Sequence, residues 1–253
     1  MPANLDGVLW LLFSLAPLLV LQRSFQKEVQ AVFLLITRRI DVAITLFSVL
    51  FIPGVLLHEG SHFLLANLVG VQTGRFSLIP RPSADGKLQL GYVETAPTDW
   101  FRDALIGMAP LLAGGLFVAY AGMVQLNLLA LAQVLWTQGP EAFAMAAKEL
   151  ASQPDFWLWF YLALVVSSTM LPSESDRKAW LPLGLILVSL VGISLLLGAG
   201  PWLVENLASP FNQVLRSVSI VFLISSALHL TLLPFVWAFR RLLGRVLGLQ
   251  VML

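Results

Sequence analysis

Long apolar runs separated by short polar breaks set the pattern of this chain. Apolar stretches fall at about 7–21, 41–69, 104–131, 156–171, 179–200 and 214–239. A bilayer core takes roughly 20 helical residues to cross, so these stretches predict about six transmembrane helices. The segment 22–41 holds Arg23, Lys27, Glu28, Arg38 and Arg39 around a short apolar centre, Ala31 to Ile36. It is too short to cross and predicts an interfacial amphipathic helix. A polar connector, partly helical, is expected over 139–155.

The stretch from Gly70 to Asp103 has a different rhythm. Arg75 to Pro80 and Leu88 to Glu94 flank the turn-forming segment Pro82 to Gly86, which predicts a β-hairpin over 75–94. A hairpin with open edges is unstable bare in lipid, so it must lie on protein or at the interface. The fold expected is therefore an all-α membrane protein with a small membrane-associated hairpin after the second helix. It forms one polytopic domain over 1–253, with a core at about 41–176 and C-terminal helices over 179–239.

Composition sharpens this. Of 253 residues, 58% are hydrophobic and 11% charged, whereas a soluble domain carries about 25% charged residues. A net charge of +1 gives no footing for nucleic acid, and the bilayer is the expected environment. The absence of cysteine excludes disulfides, thiolate metal sites and a cysteine nucleophile. No basic residue precedes the apolar run at Gly7, and no small-residue cleavage site precedes Gln22 and Arg23, so a retained first span is expected. Arg240, Arg241 and Arg245 place the C-terminus in the cytoplasm by the positive-inside tendency. With six spans the N-terminus is cytoplasmic too, as expected for a cell (inner) membrane protein.

Only three histidines occur, and two are four residues apart. His58, Glu59, Gly60, Ser61 and His62 fit the pattern His-Glu-x-x-His inside the second apolar stretch. On a helix, positions i and i+4 share a face. Two imidazoles so placed bind zinc, and the adjacent glutamate can serve as general base toward a water. Ionisable groups are costly in lipid, which favours a functional reading. A zinc hydrolase needs a third protein ligand and one open position. Asp176, just after the fourth stretch and the helix-breaking Pro172, is the candidate, with Glu174 as the substitute. Stretches two and four are separated by one crossing and run the same way, so His58, His62 and Asp176 approach the same leaflet. His229, in the last stretch, is expected to bond a neighbouring helix. A di-iron bundle would need a second Glu-x-x-His helix, and none exists.

Over about 41–176 the chain resembles the site-2 proteases, a family of intramembrane zinc metalloproteases. The resemblance rests on His58, Glu59 and His62. It extends to the hairpin with Gly70, Val71 and Gly91 to Val93, to the small-residue span opening at Gly107 to Pro110 and running to Gly114 and Gly115, and to the Pro172–Asp176 segment. The family usually has an asparagine before that proline and an Asp-Gly pair after it. Here Thr169 precedes the proline and Arg177 follows Asp176. The resemblance implies one Zn²⁺ per chain held by His58, His62 and Asp176, with Glu59 as general base. It also implies a transmembrane protein or peptide as substrate. The alternative is a non-catalytic relative that keeps the fold as a binding or assembly subunit of a membrane complex.

Overall fold

The computed structural model describes residues 6–82 and 88–249. In chain order the helices are α1 (Gly7–Thr37) and α2 (Ile40–Leu68), then α3 (Trp100–Tyr120), α4 (Leu128–Gln138) and α5 (Pro140–Ala151). They continue with α6 (Phe156–Thr169), α7 (Trp180–Leu196), α8 (Gly200–Leu203) and α9 (Ser209–Leu247). Strands β1 (Thr73–Ser77), β2 (Arg81–Pro82), β3 (Leu88–Gln89) and β4 (Tyr92–Thr95) lie between α2 and α3. The all-helical membrane architecture and the hairpin after the second helix are as expected.

The span count is not. Among the described residues, four helical stretches are long and apolar enough to cross a bilayer: Gly7–Thr37, Ile40–Leu68, Trp100–Gln125 and Gly200–Leu247. Helix α6 has 14 residues and α7 has 17, which at 1.5 Å per residue gives roughly 21 and 26 Å against a core of about 30 Å. The stretch 104–131 also divides. A π-helical turn, Ala121–Gln125, ends α3, and Asn127 adopts a left-handed conformation (φ 45°) that redirects the chain into α4.

Segment 22–37 is the continuation of α1, not a separate interfacial helix. Its buried polar residues find partners inside the protein. Gln22 bonds α6, and Glu28 pairs with Arg240 of α9. With those groups satisfied, nothing forces the helix to leave the bundle. Helix α1 ends at Arg38, whose left-handed backbone (φ 53°) donates its N–H to Leu34 O.

One apolar cluster joins α1, α2, α6 and α9, with Leu18, Phe25, Phe51, Val165, Phe222 and Leu228 at its centre. The hairpin is two antiparallel ladders, β1 with β4 and β2 with β3. Beyond Pro82, the expected turn at 82–86 falls outside the described residues. The hairpin lies on protein, as it must: a Cβ at Gly91 would stand 2.8 Å from Val55 Cγ1 and 2.9 Å from Glu59 Cγ. Gly91, between β3 and β4, thus packs on α2 beside the His-Glu-x-x-His motif.

Candidate metal centre

Helices α2 and α6 run parallel with one constant offset. The Tyr161 hydroxyl donates to Leu50 O at 2.7 Å, Gly54 abuts the Val165 carbonyl, and His58 meets Thr169. Each pair is 111 positions apart. This is the same-direction arrangement expected of the two stretches, and it brings His58 level with the end of α6.

Two prolines then supply acceptors for the imidazoles. A helix carbonyl normally accepts the N–H four residues on. For Ile106 in α3 that position is Pro110, which has no N–H. The released Ile106 carbonyl accepts from His62 Nδ1 at 2.9 Å. Helix α6 stops at Thr169, before Pro172. The N–H of Ser173, which would have served Thr169 O, donates to Asp176 Oδ2 at 2.7 Å instead. Thr169 O is left to accept from His58 Nδ1 at 2.6 Å. A carbonyl only accepts, so Nδ1 carries the proton in both rings. Each neutral imidazole therefore presents an Nε2 lone pair on its other side.

Both Nε2 atoms face Asp176. His62 Nε2 is 3.4 Å from Oδ1, and His58 Nε2 is 3.7 Å from Oδ2. The turn after α6 holds this carboxylate in place, with Asp176 N donating to Ser173 Oγ and Arg177 Nε to Ser173 O. Burial alone raises the Asp176 carboxyl. The contacts from His58 and His62, then the Ser173 N–H, more than reverse this and hold it well below the usual carboxylate range. Two imidazole Nε2 atoms and a carboxylate turned toward one point need positive charge between them, a proton on Nε2 or a metal ion in its place.

The spacing fits a metal. Ligands about 2.0–2.1 Å from a tetrahedral zinc stand roughly 3.3 Å from one another. Here one donor atom from each of His58, His62 and Asp176 lies within 4.8 Å of the other two. Two imidazoles and a carboxylate form a donor set suited to zinc. Glu59 is buried beside them, and all four residues line one cavity of about 590 Å³, together with Gly91 to Val93 of the hairpin. That volume leaves space for water and substrate at an open coordination position. Glu174, the substitute ligand, is exposed and lies outside the group.

His229 is fully buried and meets Ser168 Oγ of α6 at 2.9 Å, the neighbouring-helix partner expected of it. The orienting carbonyls of Ile106 and Thr169 escaped sequence reading because they belong to the backbone. The visible sign of them was Pro110 and Pro172. The chain matches no protein-family model, no curated protein and no solved structure.

Proposed function

We propose that this chain is an intramembrane zinc metalloprotease of the site-2 protease kind, hydrolysing a peptide bond in or near a transmembrane segment of its substrate. The observation that carries this reading is the convergence of His58, His62 and Asp176 donor atoms in a cavity that also contains Glu59. When bound, zinc supplies a Lewis acid that polarises the scissile carbonyl and acidifies a water.

The chain's own residues do the rest. His58 and His62 offer Nε2, held in the ligating tautomer by Thr169 O and Ile106 O. Asp176 closes the ligand set from the other side. Glu59 takes the proton from the attacking water and delivers it to the leaving amine. Scission requires a locally unwound peptide, because a helical peptide bond is already hydrogen-bonded within its own helix. The strand Tyr92–Thr95, at the cavity wall, offers an edge to which such a segment can add.

The C-terminal end is assigned to the cytoplasm. Arg240, Arg241 and Arg245 anchor the C-terminal end there. Helix α1 runs parallel to α9, with Gly7 N donating to Asn212 Oδ1 and Glu28 pairing with Arg240, so the N-terminal end of α1 then lies on the opposite side of the bilayer. The reading is tested by incubating candidate single-span substrates with wild type and with Glu59→Gln in detergent or proteoliposomes. Product from wild type and none from the variant is expected. Equal product from both removes Glu59 as the base.

A further inference from the structure

On the wall of the same cavity lies a second polar cluster, built on the residue next to Thr169. The intrahelical partner of Ser168 O would be the N–H of residue 172, which is proline. An orphaned carbonyl buried in a membrane protein is costly. Two glutamines one turn apart on α1 serve it: Gln22 Nε2 donates to Ser168 O at 2.5 Å, and Gln26 Nε2 at 2.8 Å. The Ser168 side chain is tied on its other flank. His229 Nδ1 donates to Ser225 O at 2.7 Å, which turns Nε2 toward the Ser168 hydroxyl at 2.9 Å, and that hydroxyl shares its one proton between His229 Nε2 and Leu164 O at 2.7 Å. Ser168 and His229 are fully buried, and Gln22 nearly so. Phe25 packs edge-on against the His229 ring at 5.5 Å.

One proline thus releases two successive carbonyls. The first is taken by α1, and the second, Thr169 O, orients His58. Thr169 is the last residue of α6, and its peptide with Met170 is still tied into the helix by Met170 N–H to Val166 O, so holding Ser168 O braces the turn that presents the next carbonyl.

We propose that Gln22, Gln26 and His229 are positioning residues of the metal centre: by clamping Ser168 from α1 and α9, they aim Thr169 O at His58 and so set metal affinity without touching the metal. The proposal rests on the metal-centre reading above. It assigns a purpose to the buried Gln22 and His229 and the half-buried Gln26, which the hydrolytic chemistry does not use.

The test is Co²⁺ titration of the purified full chain, reading both affinity and the ligand-field spectrum. Gln22→Met with Gln26→Met keeps the side-chain length and removes both donors. Its Co²⁺ affinity is expected to fall about tenfold or more, with a shifted spectrum. Gln26→Met alone, which leaves one donor, is expected to lie between, and serves if the double variant does not fold. His229→Leu is expected to move the spectrum as well. Leu18→Ala, a core truncation on the same helix, controls for general loosening: it is expected to lower thermal stability and leave the spectrum alone. Wild-type affinity and spectrum in the glutamine variants overturn the proposal. So does a spectrum that Leu18→Ala shifts equally. A wild-type chain that binds no Co²⁺ instead removes the metal reading, and this proposal with it.

Discussion

Gly107→Ala tests how Asp176, the proposed third ligand, is placed. Gly107 of α3 packs directly on the backbone of Asp176. A Cβ there would stand 2.9 Å from the Asp176 carbonyl carbon and 3.3 Å from its Cα, and would meet its carbonyl oxygen closer still. Carbon atoms rest at about 3.5–4.0 Å, so the Asp176 backbone must withdraw by roughly 0.5 Å or more. Metal–ligand distances hold to about 0.2 Å. The displacement therefore exceeds what coordination absorbs, while the overpacking itself costs about 1–3 kcal/mol. Zinc affinity, measured by competition with a chromophoric chelator on detergent-purified protein, is expected to fall about 10- to 100-fold. Gly184→Ala, where a Cβ meets nothing within 4 Å, is expected to leave it unchanged. A folded Gly107→Ala variant with wild-type zinc affinity would refute the reasoning, because Asp176 could then move freely without consequence.

Pro110→Ala restores an N–H that competes with His62 for Ile106 O. Zinc affinity is expected to drop while the metal-free chain stays folded, and unchanged affinity on the same titration would mean that this carbonyl does not orient His62. Removing Arg240 leaves the buried Glu28 carboxylate without its α9 partner. Arg240→Met is expected to cost about 3–5 kcal/mol in detergent unfolding, and adding Glu28→Leu is expected to recover most of it. Similar losses in the single and double variants would contradict that pairing.

The sequence disclosed most about features that depend on local spacing. His58 and His62 were legible because a helix places i and i+4 on one face. Asp176 was legible from chain direction together with the ligand count, and the parallel α2–α6 packing carries that geometry. Span number was less legible. Hydropathy registers apolar residues but not where a helix stops, so it missed the π-helical turn and left-handed Asn127 that end the third stretch. The unbroken α1 was hidden because the partners of Gln22 and Glu28 are 146 and 212 positions away. The orienting carbonyls of Ile106 and Thr169 have no residue type of their own.

X-ray absorption at the zinc edge of the purified chain, with metal content measured alongside, tests the centre most directly. The account predicts about one zinc per chain, bound by two imidazole nitrogens and a carboxylate oxygen at roughly 2.0–2.2 Å. It also predicts that His58→Ala, His62→Ala or Asp176→Ala removes that signal. A well-folded chain that takes up no zinc, or zinc retained undiminished in all three variants, would contradict it.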